Sequence, residues 1–324
     1  MRSPANPFAV VALAATLLAR PTGAQAQRFR LPTPTGPSPL GTSTFNVNRP
    51  PAAPGDEEAP GTLVVTAWYP AASASGAAAR APSPYLREES ALRQMAAWGS
   101  AQATATLERR DVLTHSWLDA PVARAASLLP VLLFSHGYLA MPSDYTALME
   151  ELASHGYAVF SIAHTGESMA VSLPGGRVEA IVGADNQLRP LPRGVIGDWG
   201  DEDSVAAAVT SAAAPARAEE TLRRYLARIP HATATVERWV GDTRAVMDEL
   251  TRLSVPQSGS VFARRISVSH VAALGHSMGG VASAVWCARD RAFVAEHLLR
   301  VPSPLLRSDR PFPEVEFRQL TRGR

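Results

Sequence analysis

The sequence predicts an α/β fold with a mostly parallel central sheet and helices on both faces. Residues 129–135 form a continuous apolar run, which is typical of a strand buried on both faces. Residues 157–163 form a second such run, and between the two lies a segment with apolar residues at helical spacing; a strand–helix–strand unit of this kind requires a right-handed crossover and a parallel sheet. A third run, 270–274, leads into Gly275-His276-Ser277-Met278-Gly279 and then into a helix-forming stretch, so it returns to the same sheet.

Composition supports a globular chain and excludes several function classes. The 324 residues are 46% hydrophobic and 19% charged, and the formal net charge of +2 gives no basic field for binding nucleic acid. All 31 basic residues are arginine, since the sequence contains no lysine. This excludes a Ser–Lys dyad, a phosphate-binding P-loop lysine and a pyridoxal phosphate Schiff base.

The N-terminus predicts an export signal over residues 1–26. Arg2 is followed by an apolar run over 8–19 and by Ala24-Gln25-Ala26, which fits the small-residue pattern of a signal-peptide cleavage site. A membrane anchor is the alternative, but the run is shorter than the roughly 20 residues that a spanning helix needs. We therefore expect a secreted or periplasmic protein that begins near Gln27.

Further elements follow in chain order. Residues 27–60 are rich in Pro, Gly, Thr and Ser and predict an extended arm, and residues 61–324 form the main domain, with an atypical Arg- and Pro-rich tail over 294–324. We expect a strand over 62–69, a helix over 88–98, a helix over 143–155 with Ser143 as its N-cap, a hairpin and loop over 172–193, and mostly helix over 204–253.

The stretch Gly275-His276-Ser277-Met278-Gly279 predicts a nucleophile elbow. In G-x-S-x-G the serine occupies a sharp strand-to-helix turn, and glycines flank it because side chains there would clash with the neighbouring strand and helix. Ser277 is then the candidate nucleophile, and the Met278 N–H at the helix start can stabilise an oxyanion. The alternative is a tight β–α turn with a solvated serine.

A second candidate element is Ser135-His136-Gly137-Tyr138, which follows the first buried strand. Gly137 lets the loop approach a substrate carbonyl, and the Tyr138 N–H is the candidate second oxyanion donor. An HG pair after a strand is also a common turn. The carboxyl ends of parallel strands meet at one edge of the sheet, however, so this loop and the elbow should be neighbours.

Several motifs together resemble the secreted platelet-activating factor acetylhydrolase group of α/β-hydrolases. They are, in order, Pro34-Thr35-Gly36-Pro37, Ala67-Trp68-Tyr69-Pro70, Phe134-Ser135-His136-Gly137, Leu152-Ala153-Ser154-His155-Gly156-Tyr157, the 242–250 segment and Gly275-His276-Ser277-Met278-Gly279-Gly280. The resemblance covers roughly residues 32–292. It implies a calcium-independent serine esterase that acts on short acyl esters, including phospholipid esters at a lipid surface, with Ser277 as nucleophile and Tyr138 and Met278 as oxyanion donors.

The sequence departs from this family after the elbow. The triad order for this fold is Ser, then Asp or Glu, then His, and His297 is the only histidine after Ser277. A returning strand would reach the active edge at about residue 300, where the family has an Asp-Gly turn and this sequence has Leu299-Arg300-Val301. We therefore expect the triad acid and histidine to be missing, through a C-terminal truncation, and the chain to be a poor catalyst. A domain with a novel ending is the alternative account of the C-terminus.

Two alternative functions remain at this stage. One is a catalytically inactive remnant or binding module. The other is an enzyme of the dienelactone or polyester hydrolase type, although a dienelactone hydrolase would have cysteine where Ser277 stands.

The remaining histidines have structural interpretations. We expect His276 to turn into the core, His136 to bond within its loop, and His164 to lie at the active edge. The family resemblance implies that His164 has no catalytic role. His115, His155, His231 and His270 show no metal-ligand spacing, so we expect no metal and no cofactor. The sequence does not indicate an oligomeric state.

Overall fold

The computed structural model describes residues 29–49, 61–72, 81–198 and 215–290. The signal-peptide prediction, part of the arm, residues 204–214 and the tail with His297 lie outside these ranges.

The central sheet has six strands in the order β3–β1–β2–β5–β4–β8. Strands β5, β4 and β8 are parallel to one another, whereas β2 is antiparallel to both β1 and β5. The predicted adjacency of the three apolar runs is confirmed. The strands of the sheet are β1 (Leu40–Asn48), β2 (Thr62–Pro70), β3 (Ser116–Leu118), β4 (Leu129–Ser135), β5 (Ala158–Ala163) and β8 (Ile266–Gly275); β6 (Ala170–Ser172) and β7 (Val178–Ala180) form a separate hairpin.

Helices cover both faces of the sheet. One face packs against α3, and the other against α6 and α7. The helices are α1 (Glu89–Ala97), α2 (Ala101–Leu107), α3 (Thr146–Ser154), α4 (Pro190–Asp198), α5 (Pro215–Leu226), α6 (Pro230–Ser254) and α7 (Met278–Arg289); short 3₁₀ helices span Glu108–Asp111, Pro142–Tyr145, Pro174–Gly176 and Pro256–Ser258.

The core explains why β4 and β5 are apolar throughout. In β5 every residue is buried, and in β4 Leu132 and Phe134 face α3 while Val131 and Leu133 face α6 and α7. Trp286 of α7 is fully buried on the second face. A strand that is covered on both faces needs apolar side chains at consecutive positions, which is the pattern that the sequence shows.

Strand β8 is irregular where it meets β4. Pro130 pairs with Ser267, but the next residue of β4, Val131, pairs with Val271, so residues 268–270 of β8 bulge away from the ladder. Proline has no N–H to donate and is tolerated in sheets at such irregularities. In the described sheet, β8 forms one edge.

Two local predictions are wrong. The arm predicted over 27–60 contains β1, which pairs along its whole length with β2. Ser143 is not the N-cap of α3, because the 3₁₀ helix Pro142–Tyr145 precedes that helix; the Ser143 hydroxyl is instead buried against the Glu88 carboxylate. Burial raises the pKa of Glu88, and the hydrogen bond from Ser143 partly opposes that shift.

The segment before β1 packs tightly on the end of α3. The Gly36 N–H donates to the Ser154 hydroxyl at 3.0 Å, and a Cβ at Gly36 would lie 2.3 Å from the Ser154 carbonyl carbon. Only glycine can approach backbone this closely.

We expect Gly36→Ala to lower the free energy of unfolding by about 1–3 kcal/mol, since the methyl group must push the segment away from α3. Gly61→Ala is the matched control, because nothing lies within 4 Å of a Cβ built there. Urea denaturation of both variants measures the difference. Equal stability of the two would show that the segment does not pack as described.

Candidate active site

The elbow has a strained backbone at Ser277. This residue, between β8 and α7, has φ 52° and ψ −122°, and its side chain is exposed. A non-glycine residue at positive φ is uncommon and costs about 1–3 kcal/mol unless the surrounding structure enforces it. Such strain is concentrated at functional sites, so the conformation itself points to Ser277.

Glycines on both sides of Ser277 are required by packing. A Cβ at Gly275 would lie 2.4 Å from the carbonyl carbon of Gly279, and a Cβ at Gly279 would lie 2.2 Å from the carbonyl oxygen of Ser135. A larger residue at Gly275 would therefore push α7 away from β8, and one at Gly279 would push α7 away from the end of β4. The structure thus supplies the steric reason for the G-x-S-x-G spacing.

The elbow and the loop after β4 are joined through the backbone. The His276 N–H donates to the Ser135 carbonyl at 3.2 Å, and Ser135 pairs with Gly275 in the sheet register. The two loops that carry Tyr138 and Met278 therefore leave the same edge of the sheet. This juxtaposition follows from the parallel order β5–β4–β8.

His136 is fully buried and holds its own loop. Its Nε2 accepts hydrogen bonds from the His164 N–H at 3.1 Å and from the Ser168 hydroxyl at 2.6 Å, so Nδ1 carries the proton and donates to the Gly137 carbonyl at 2.7 Å. Burial, together with the nearby His164, lowers the pKa of His136 to about 3. The ring is therefore neutral at physiological pH and acts as the loop hydrogen-bonder that the sequence predicts.

His276 does not turn into the core, contrary to the prediction. The residue is exposed, and its Nδ1 bonds to the Tyr145 hydroxyl at 2.9 Å. The missing side chain of Gly137 leaves room for the His276 ring, because a Cβ at Gly137 would lie 2.6 Å from His276 Nδ1.

Beneath the loop lies a buried chain of polar side chains that ends at β4. His164 Nδ1 bonds to Asp242 Oδ2 at 2.8 Å, and His164 Nε2 bonds to the Ser135 hydroxyl at 3.1 Å. The carboxylate can only accept, so the His164 proton is on Nδ1 and Ser135 donates to Nε2. The order Asp–His–Ser matches that of a catalytic triad, but all three residues are buried, and we assign this chain a structural role.

Two buried arginines neutralise the acids of this cluster. Arg49 contacts both carboxylate oxygens of Asp242 at 2.7 Å, and Arg238 bonds to Glu167 through its Nε at 2.8 Å. Arg49 also lies 3.7 Å from Glu167, so two positive and two negative groups alternate. Burial alone would raise the pKa of Asp242, but Arg49 and His164 outweigh it and hold the pKa below its usual value.

Trp239 covers the same cluster from α6. Its ring stacks on that of His164, with centroids 3.9 Å apart and planes 4° apart, and it also contacts the rings of His136 and Tyr138. Sequence reasoning missed this group, including Arg49, Glu167, Arg238, Trp239 and Asp242. The only signals were the position of His164 after a buried strand and the occurrence of Asp242 in a family-like segment.

The predicted site residues come together in part. Gly137 and Tyr138 lie on the loop joined to the elbow. Four histidines bond to residues outside the candidate site: His115 to Leu31, His155 to Glu151, His231 to Asp198 and His270 to Ser267. Within the described ranges no histidine hydrogen-bonds to the Ser277 hydroxyl, and Asp290 pairs with Arg244. Among the described residues, therefore, no histidine is placed as the base of a triad with Ser277.

The described residues contain neither a cluster of metal ligands nor a membrane-spanning helix. In these ranges, no three His, Cys, Asp or Glu side chains group closely enough to hold a metal ion. No helix in the same ranges has the length and apolar character needed to cross a bilayer.

The chain is similar to known proteins in part of its sequence and in its fold. The family model of platelet-activating factor acetylhydrolase, isoform II, matches residues 91–176. The solved structure of a ferulic acid esterase from Streptomyces cinnamoneus superposes with a TM-score of 0.52 and 25% identity over 82% of this chain. The chain has an α/β-hydrolase fold, and residues 91–176 are similar to the platelet-activating factor acetylhydrolase family.

The two comparisons cover different parts of the chain. The family match includes β4, the loop with Gly137 and Tyr138, and His164, and it ends before the elbow. This chain spans 59% of the length of the ferulic acid esterase. A search of curated proteins finds no match. The predicted fold and the resemblance are thus confirmed, and the roles of individual residues stay predictions.

We expect Gly279→Ala to destabilise the protein and to displace Ser277, because the new methyl group would overlap the backbone of β4. Gly241→Ala in α6 is the control: a Cβ there meets nothing within 4 Å, and alanine favours a helix over glycine by about 1 kcal/mol. Thermal unfolding should show a loss for the first variant and none for the second. A Gly279→Ala variant as stable as the parent would contradict the packing.

The neutral, buried His136 predicts acid sensitivity. Its pKa is about 3 when folded and about 6.5 when unfolded, so between these values the unfolded chain binds more protons. Stability should then fall as the pH drops below 6.5, by up to about 1.4 kcal/mol per pH unit for this one group. Urea titrations at pH 4–7 should show that the free energy of unfolding depends less steeply on pH in His136→Gln than in the wild-type chain. An equally steep pH dependence in the variant would contradict this role of His136.

Proposed function

We propose that this chain is a carboxylic ester hydrolase in which Ser277 is the nucleophile. The observation that carries the proposal is the strained, exposed Ser277 on an elbow whose glycines allow α7 to pack against β4. The family match and the esterase with a similar fold support the reaction class.

The reaction would proceed through an acyl-enzyme. The Ser277 oxygen attacks the ester carbonyl carbon, and the carbonyl oxygen becomes an oxyanion held by the N–H groups of Tyr138 and Met278. The bond to the alcohol then breaks, the alcohol leaves with a proton, and water hydrolyses the acyl group from Ser277. Each proton transfer needs a base close to the serine.

A second candidate is a hydrolase with impaired chemistry. The absence of a histidine bonded to Ser277 within the described residues favours it. Without a base, the oxyanion donors and substrate binding alone give a rate roughly 10³–10⁴ above that in water. His297 lies outside the described residues, so its substitution separates the two candidates.

For substrates, we propose short acyl esters, with phospholipid esters of the platelet-activating factor type as the natural class. The family resemblance supports this choice, and a phospholipid substrate implies contact with a lipid surface. Secretion or export to the periplasm, inferred from residues 1–26, would place the enzyme where such lipids are found. N-terminal sequencing of exported material that still begins at Met1 would argue against export.

Ser277→Ala should abolish both turnover of p-nitrophenyl acetate and labelling by a fluorophosphonate. Ser269→Ala, on the β8 bulge, is the matched control and should retain both. His297→Ala is assayed beside them, with platelet-activating factor and methyl ferulate as further substrates. Labelling that persists in Ser277→Ala would overturn the nucleophile assignment, whereas loss of turnover in His297→Ala would identify the base.

A further inference from the structure

Tyr145 bridges the two loops of the candidate active site. Its hydroxyl accepts the Gly137 N–H at 3.0 Å and bonds to His276 Nδ1 at 2.9 Å. Gly137 lies one residue before Tyr138, and His276 lies one residue before Ser277. One phenol oxygen therefore connects the loop after β4 with the elbow.

The Tyr145 ring is itself held firmly. It lies at the end of the 3₁₀ helix Pro142–Tyr145, directly before α3, and packs against the buried Phe134 with ring centroids 4.7 Å apart. Burial raises the pKa of the Tyr145 hydroxyl, although the bond from Gly137 partly opposes that shift, so the phenol keeps its proton at neutral pH. The bridge is thus anchored to β4 and α3 together.

The bridge also leaves no room for a side chain at position 137. A Cβ at Gly137 would lie 2.6 Å from His276 Nδ1 and 3.2 Å from the Tyr145 oxygen. Because the Gly137 N–H is already bonded to Tyr145, it is not available to a substrate. The next amide along the loop is that of Tyr138, the donor proposed above for the oxyanion.

We propose that Tyr145 is a positioning residue that sets the separation of the Tyr138 and Met278 amides by tying Gly137 to His276. The proposal rests on the function proposed above. Two donors stabilise an oxyanion only if both lie within hydrogen-bond distance of its oxygen. The negative charge on that oxygen develops only as the transition state is reached. Loosening the bridge therefore lowers kcat and leaves KM nearly unchanged.

The test compares Tyr145→Phe with Tyr69→Phe. The Tyr69 hydroxyl on β2 also makes a hydrogen bond, to the Ala120 carbonyl at 2.8 Å, but Tyr69 is buried in the core, away from the candidate site. For p-nitrophenyl acetate, Tyr145→Phe should reduce kcat about tenfold to hundredfold, as expected for misplaced groups, with KM within about twofold. Tyr69→Phe should lower stability and leave kcat unchanged.

A double variant and amide exchange complete the test. If the bridge acts as one unit, the double variant Tyr145→Phe/His276→Ala should reduce kcat by a smaller factor than the product of the factors measured for the two single variants. Exchange of the Gly137 amide, followed by NMR, should accelerate in Tyr145→Phe and not in Tyr69→Phe. Unchanged kcat in Tyr145→Phe, or an equal loss in Tyr69→Phe, would overturn the proposal.

Failure of the proposed function would be seen differently. A wild-type chain that neither hydrolyses esters nor reacts with a fluorophosphonate contradicts the esterase, whatever Tyr145 does. Gly137 amide exchange does not depend on activity. If it is unaltered in Tyr145→Phe, the bridge does not hold the loop, and the positioning role is refuted even in an active enzyme.

Discussion

The candidate site depends on the buried contact between Asp242 and its two partners, Arg49 and His164. Burying a carboxylate is strongly unfavourable unless it is paired and fully hydrogen-bonded, and here both oxygens have partners. The three residues come from the end of β1, the loop after β5 and the middle of α6. Pairing them fixes these segments relative to β4, because His164 also holds the Ser135 hydroxyl. Removing Arg49 or His164 would leave the buried charge of Asp242 incompletely compensated, directly below the candidate oxyanion loop.

This rigid base lets the elbow hold an unfavourable conformation. Ser277 at positive φ persists only because α7 is tightly packed, through Gly279, against the backbone at the end of β4. That backbone is in turn fixed from below by His136 and His164 and from the side by Tyr145. The strain at one residue is thus supported by buried polar contacts from at least three other elements. A site of this kind places donors and nucleophile before a substrate arrives, as preorganised catalysis requires.

Most of the sheet could be predicted from the sequence because its central strands are buried on both faces. Continuous apolar runs such as 129–135 allow few other structures, and the order of the parallel strands follows from crossover handedness. Strand β1 could not be predicted in this way: it lies near the edge, alternates in burial and contains small and polar residues typical of loops. The orientation of His276 and the cluster around Asp242 depend on contacts between residues far apart in sequence, such as the 193-residue separation of Arg49 and Asp242. Local pattern carries no information on such pairs.

The described contacts also divide the candidate site into two parts with different structural origins. The candidate nucleophile Ser277 and the amides proposed to hold the oxyanion depend on strands β4 and β8, the loop after β4 and the start of α7, which are tied together by backbone bonds. The general base of a serine hydrolase, by contrast, needs only to bring one imidazole within about 3.2 Å of the serine hydroxyl. It can be supplied by a separate segment without altering the elbow. The described contacts that hold the elbow do not involve such a segment, so variants of the elbow and variants of the base would test different parts of the chain.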